Sequence, residues 1–124
     1  MNATALFEVI HEVASEEKIE VWAFVIMPDH LHLIIDLHDL STLGRIMNLI
    51  KGRSSWRLSH RAGVRVPVWQ RGYQDHVIRN EKDLMIKLRY LLDNPRRAGL
   101  PDECRRPPYL WIREEWKDSV EGAP

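Results

Sequence analysis

Cysteine is almost missing from this chain, with Cys104 the single one in 124 residues. One thiol closes no internal disulfide, which excludes a secreted disulfide scaffold and a Cys-rich zinc module and leads us to expect a reducing compartment. Long apolar runs are missing too, and no stretch approaches the roughly 20 residues needed to span a bilayer. The N-terminus has no basic region leading into an apolar run and a small-residue cleavage site, so no export signal is expected. There is no internal repeat, no low-complexity tract and no linker long enough to separate domains. What remains is 44% hydrophobic and 29% charged. That balance fits one soluble globular domain burying about two-thirds of its unfolded surface.

Net charge is also absent, at +0, but only by cancellation. Residues 1–44 hold one base, Lys18, against eight acids, whereas residues 45–106 hold fifteen Lys or Arg against six acids. Residues 107–124 hold two bases and four acids. Such asymmetry points to a localised basic surface with a polyanion as partner. The competing reading is that bases and acids interleave on a solvated face.

Hydrophobic periodicity divides the chain into elements. Leu6, Val9, Ile10 and Val13 recur at helical spacing, predicting a helix over 2–17 capped by Asn2 or Thr4. Residues 19–27 are β-branched and aromatic, residues 30–37 alternate, and Pro28-Asp29 turns between them, predicting an antiparallel hairpin. Ser41 is the expected cap of a helix over 42–60, whose apolar stripe is Leu43, Ile46, Met47 and Ile50. Residues 63–72 read as a loop and 73–79 as a short strand. Asn80 caps a helix over 81–94, with Asp83 three residues on, and Pro95 and Gly99 are expected to end it. The remaining residues hold Tyr109, Trp111 and Trp116 and either pack as a short segment or fray.

Several residues can carry chemistry. His30 and His32 are one residue apart on a strand, so both imidazoles share a face while Leu31, Leu33 and Ile35 take the other. Two neutral imidazoles form a metal chelate that lacks one or two ligands; the alternative is a pair of surface histidines. Tyr90 and Asn94, four apart, share a helix face. Taken singly, Tyr90 also reads as a residue at the core's margin and Asn94 as a helix C-cap. Arg45, Lys51, Arg53, Arg57 and Arg61, with Trp56 among them, suit a phosphate backbone and a stacked base, or else a solvated helix face. Arg96 and Arg97 complement the end of the later helix or bind phosphate. His38, His60 and His76 have no partner that spacing identifies.

Together these segments resemble a known family. Met27-Pro28-Asp29-His30-Leu31-His32-Leu33-Ile34-Ile35 resembles the histidine–hydrophobe–histidine (HUH) strand of single-strand tyrosine transposases. The segment Val68-Trp69-Gln70-Arg71-Gly72-Tyr73-Gln74-Asp75-His76-Val77-Ile78-Arg79 is similar to the one preceding their last helix. Arg89-Tyr90-Leu91-Leu92-Asp93-Asn94-Pro95-Arg96-Arg97-Ala98-Gly99-Leu100 resembles the tyrosine helix and Asn-Pro ending of the REP-associated branch. The three stand in the family's order and spacing, and the similarity extends loosely over residues 5–100.

The resemblance implies an α+β fold, an antiparallel β-sheet with helices packed on it (HUH endonuclease, ferredoxin-like), over residues 1–100 with a C-terminal tail over 101–124. The family's usual first strand and basic turn are lacking before the first helix. It implies metal-dependent cleavage and strand transfer of single-stranded DNA at hairpin-forming, REP-like sequences. By that likeness His30, His32 and Asn94 would bind a divalent cation, magnesium or manganese. Tyr90 would attack the scissile phosphate, leaving a 5′-phosphotyrosine and a free 3′-hydroxyl. The arginines and lysine named above, with Arg96 and Arg97, are the expected DNA contacts from charge and position. The implied partner is hairpin-bearing single-stranded DNA, with no membrane, in a monomer or homodimer of the bacterial cytoplasm associated with the nucleoid. Two other readings stand beside this one: a catalytically silent hairpin-binding remnant, and a phosphodiesterase that uses water in place of Tyr90.

Overall fold

A computed structural model describes residues 3–28, 30–37, 42–61, 78 and 80–121. Helix α1 (Ala3–Glu17) buries Leu6, Val9, Ile10 and Val13 completely or nearly so, as their spacing requires. Thr4 lies inside its first turn and is therefore not the cap, and Asn2 lies outside the described residues. Lys18 takes a left-handed φ of 56° after the helix, and the Ile19 N–H donates to the Ala14 carbonyl at 3.1 Å. That bond closes the helix end and turns the chain directly into a strand.

Strands β1 (Glu20–Ile26) and β2 (Leu31–Asp36) form the expected antiparallel hairpin. Its register sets Phe24 opposite Leu33, Val25 opposite His32 and Ile26 opposite Leu31, with an irregularity between Val21 and Ala23. The Met27 N–H donates to the His30 carbonyl at 2.9 Å across the turn. Helix α2 (Leu43–Arg61) follows, and its cap is Thr42 rather than the expected Ser41, which lies outside the described residues. The Thr42 Oγ1 accepts from the Arg45 N–H at 3.2 Å, meeting one of the helix's unpaired donors. The loop over 63–72 and the strand over 73–79 lie outside the described residues, apart from Ile78, which belongs to no element.

Helix α3 (Glu81–Arg97) starts as read, with Asn80 Oδ1 accepting from the Asp83 N–H at 2.8 Å. Its end is a correction: the helix runs through Pro95 to Arg97. A proline inside a helix forfeits one backbone bond and crowds the residue before it. Here that disturbance falls on the last turn, the Pro95 ring is fully buried, and the backbone bonds resume beyond it. Ala98 N–H donates to Asn94 O at 3.0 Å and Leu100 N–H to Pro95 O at 2.9 Å. Gly99, at φ 72°, supplies the left-handed residue that does end the helix.

The described residues after 100 pack rather than fray. A 3₁₀ turn (Asp102–Arg105) leads to strand β3 (Leu110–Ile112) and helix α4 (Glu114–Glu121). The β3 strand pairs antiparallel with β1, giving a three-stranded sheet of order β2-β1-β3. Among the described residues no strand precedes α1.

The sheet divides the interior in two, because successive side chains of β1 point to opposite faces. Phe24 and Ile26 face α1 and α2, packing with Leu6, Ile10, Val13, Ile46 and Ile50. Ala23, Val25 and Met27 face α3 and α4 with Leu84, Leu88, Leu91, Leu110 and Ile112. On β2, Leu33 and Ile35 join the first cluster and Ile34 the second. His32 therefore shares the face on which α3 lies.

Candidate functional site

Pairing with Val25 fixes His32 on the α3 side of the sheet, and His30 immediately precedes the same strand. Their rings meet edge to face, with centroids 4.7 Å apart, and the two Nε2 atoms are 2.9 Å from one another. One nitrogen donates and the other accepts, so the pair requires at least one neutral ring. Burial first, and then the charge of His30, hold the His32 imidazole below its ordinary pKa, favouring the neutral form that can ligate a metal. The Tyr90 ring, on α3, lies 6.4 Å from the His32 ring at 78°. It is 52% exposed, so a substrate as large as a nucleic acid can reach it.

One turn beyond, Asn94 is inside the helix rather than at its cap, which is Ala98. Its Oδ1 accepts from Arg97 Nη2 at 3.4 Å, while its Nδ2 is buried with no hydrogen-bond partner. Arg97 reaches further back: its guanidinium lies over the Tyr90 ring, 4.1 Å from the centroid. Asp93 holds both basic residues of the last turn, Arg96 at 2.7 Å and Arg97 at 3.6 Å. The Arg96 hydrogen bond, and then the charges of Arg96, Arg97 and Arg105, keep the Asp93 carboxyl below its ordinary pKa.

These residues fit a divalent cation. The two ring nitrogens, 2.9 Å apart, have the separation of neighbouring ligands on a single ion. With bonds of about 2.1 Å that separation is about 3 Å. No group of three or more His, Cys, Asp and Glu among the described residues could hold a metal, so among those residues a third donor would be of another kind. The Asn94 amide, one turn beyond Tyr90, has an oxygen of that kind, which here accepts from Arg97. Two imidazoles with an amide oxygen make a mixed set, since imidazole suits zinc, copper, iron and nickel while a carbonyl oxygen suits magnesium, calcium and manganese.

The α2 bases are placed differently from a free phosphate-binding row. Arg45 pairs with Glu17, Arg53 with Glu16, and Arg57 with both Glu12 and Glu8. The Arg57–Glu12 pair is bidentate, at 3.1 and 2.7 Å. Falling numbers on α1 meet rising numbers on α2, so the helices run antiparallel along an ionic seam. Lys51 is half-buried on α2, and the Arg61 side chain lies outside the described residues. Trp56 is 61% exposed and stacked on His60, with ring centroids 4.1 Å apart. Of the expected DNA-contacting residues, Arg97 is the one seen against Tyr90, and Arg96 adjoins it through Asp93.

Arg97 lying against Tyr90 is a relationship the sequence reading missed. Its signal was the 90–94–97 spacing, which shares a helix face only when the helix continues through Pro95. The ionic seam had a signal of its own: Glu8, Glu12 and Glu16 stand four apart, as do Arg53 and Arg57.

The chain is similar to known proteins over most of its length. Residues 2–93 match the family model described as Transposase IS200 like. A Haemophilus influenzae protein named "Putative REP-associated tyrosine transposase" is 31% identical over 118 residues, covering 82% of this chain and 63% of that protein. An uncharacterised protein of the same organism is 30% identical over 101 residues, covering 63% of this chain and 55% of that one. The chain thus spans between about half and two-thirds of the length of these relatives. No solved structure matches it. The histidine hairpin and Tyr90 fall within a match over about three-quarters of the sequence, and the chain belongs to the IS200-like transposase family.

Proposed function

We propose that the protein cuts and rejoins single-stranded DNA beside hairpins, with Tyr90 as the covalent nucleophile. What supports this reading most is the meeting of two motifs separated by the whole of α2. The His30–His32 pair and Tyr90 lie on one face of the sheet, with ring centroids of His32 and Tyr90 6.4 Å apart. The family match and the REP-associated name of one relative support DNA as the substrate.

In this reading His30, His32 and Asn94 hold a magnesium or manganese ion, which supplies polarisation of the scissile phosphate and neutralises its developing charge. The Tyr90 hydroxyl attacks that phosphorus, and the phosphorus–oxygen bond to the preceding sugar breaks. The products are a 5′-phosphotyrosine and a strand ending in a 3′-hydroxyl, with the phenolic proton passing to solvent or the leaving oxygen. Phosphodiester energy is retained in the tyrosine ester, so a second 3′-hydroxyl can reverse the step without a nucleoside triphosphate. Arg97 lies where it can orient the ring and then meet a phosphate oxygen.

Covalent capture on a denaturing gel tests the proposal. Labelled single strands bearing hairpins from flanking genomic DNA are incubated with the protein or its Tyr90→Phe variant, in manganese or in chelator. A protein–DNA adduct that needs both manganese and Tyr90 is expected. Cleavage that survives Tyr90→Phe would instead make water the nucleophile, and hairpin binding without any adduct would make the chain a silent binding protein.

A further inference from the structure

A second basic cluster lies beside the same row of the sheet as the histidine pair. His32 pairs with Val25, and Val25 pairs on its other side with Leu110, so the three form one row across the sheet. The Arg106 carbonyl accepts from the Leu110 N–H at 3.1 Å and from the Tyr109 N–H at 2.9 Å, which holds Arg106 at the end of that row. Neighbouring strands stand about 4.8 Å apart, so β2 and β3 are about 10 Å apart across β1. That is about three nucleotides at about 3.4 Å each.

The 3₁₀ turn that ends at Arg105 packs against α3, the helix that carries Tyr90. After the Arg96 hydrogen bond, the charge of Arg105 joins those of Arg96 and Arg97 in holding the Asp93 carboxyl low. Arg105 and Arg106 are both exposed, and among the described residues they line an open cavity of about 310 Å³ together with Asp102. Neither makes an ion pair or a side-chain hydrogen bond with a described residue. Arg45, Arg53 and Arg57 of α2, by contrast, are each held by a glutamate of α1. Glu103 is exposed on the same turn, outside that described lining.

A phosphodiester carries one negative charge and two free oxygens, and guanidinium forks meet such oxygens with parallel hydrogen bonds. The two guanidiniums set against the Asp102 carboxylate leave the one positive charge that such a group neutralises. We propose that Arg105 and Arg106 grip a backbone phosphate of the single strand, a few nucleotides from the phosphate at Tyr90. The site takes its substrate class from the proposed function and adds a second anchor, which sets the path of the strand past the β3 side of the sheet.

Binding rather than cleavage tests it. A short labelled thymidine strand is titrated with the full chain in chelator, over a series of salt concentrations, and followed by fluorescence anisotropy. The slope of log affinity against log salt is expected to fall by about 0.7 in the Arg105→Gln/Arg106→Gln double variant, one single-strand phosphate's worth. At about 0.1 M salt that is about fivefold in affinity. Each single variant should fall between, and these carry the test where the double variant does not fold. Lys82 is equally exposed, about 12 Å back along α3 from Tyr90, so Lys82→Gln should leave the slope nearly unchanged. An unchanged slope in the folded arginine variants would overturn the proposal. So would an equal fall in Lys82→Gln, or a wild-type protein that binds no strand. A lowered slope without any Tyr90 adduct leaves the phosphate grip standing, and an adduct with an unchanged slope removes the grip but leaves the nuclease.

Discussion

Arg97 sets the surroundings of Tyr90. It spans the ring, the Asn94 amide and the Asp93 carboxylate within two helical turns. An exposed cation–π contact contributes about 0.5–1 kcal/mol, whereas a guanidinium–phosphate pair is charge-assisted and stronger, so incoming DNA can draw the arginine away. Arg97→Ala is therefore expected to slow adduct formation about tenfold while leaving the unfolding midpoint nearly unchanged. Arg97→Lys should restore only some of the rate, because a lysine brings charge without the planar stack. For the proposed cation, His32→Ala is expected to weaken manganese binding, read by calorimetry without DNA, by about tenfold or more, through loss of one of three proposed ligands. Asp93 has a predictable sign. Its carboxyl is held low in the fold, so the unfolded chain takes up the proton first. The stabilisation is thus fully present above the unfolded pKa of about 3.9 and is lost as pH falls through the folded value. Asp93→Asn should flatten the acid end of a plot of melting temperature against pH, by a small amount because the group is exposed.

At the scale of elements, α1 and α2 are joined by an apolar stripe inside and by an ionic seam outside. Exposed pairs contribute about 0–1 kcal/mol each, so the seam fixes helix register more than stability. It also engages Arg45, Arg53 and Arg57 before any DNA arrives. The salt dependence of strand binding separates the two roles: Arg53→Gln should leave the slope nearly unchanged, whereas Arg97→Ala should lower it by about one counterion. The hairpin was legible in the sequence because two-residue alternation and a Pro28 turn leave few other structures open to it. The start of α3 was legible because Asn80 offers a cap oxygen at the right offset. Its end was not, since the rule that proline stops a helix takes no account of a ring that finds full burial. Strand β3 was hidden for another reason: three residues carry no period, and its partner β1 is far away in sequence. The histidine pair and Tyr90 were each visible as a motif, but their proximity depends on sheet register and on which face α3 covers.

The whole molecule is organised around β1, the strand both cores share. Phe24 is fully buried there and touches Phe7, His11 and Trp111 through their rings. Phe24→Ala is expected to cost about 3–5 kcal/mol by denaturant titration, a large fraction of a small domain's stability. Truncation after residue 100 would take Leu110, Ile112 and Trp116 from the α3 side and strip β1 of one partner. Such a chain is expected to lose cooperative unfolding by circular dichroism, although it keeps every proposed catalytic residue. That arrangement also gives the protein a sense of time. Val25 pairs on one side with His32, a near neighbour, and on the other with Leu110, most of the chain away. The first pairing closes a short loop and forms readily, whereas the second must wait for a distant segment. On the ribosome the histidine hairpin and the tyrosine helix both emerge before β3. The proposed nuclease thus gains β3 after its other described strands, and a chain translated only as far as α3 carries the proposed cutting residues without β3 beside β1.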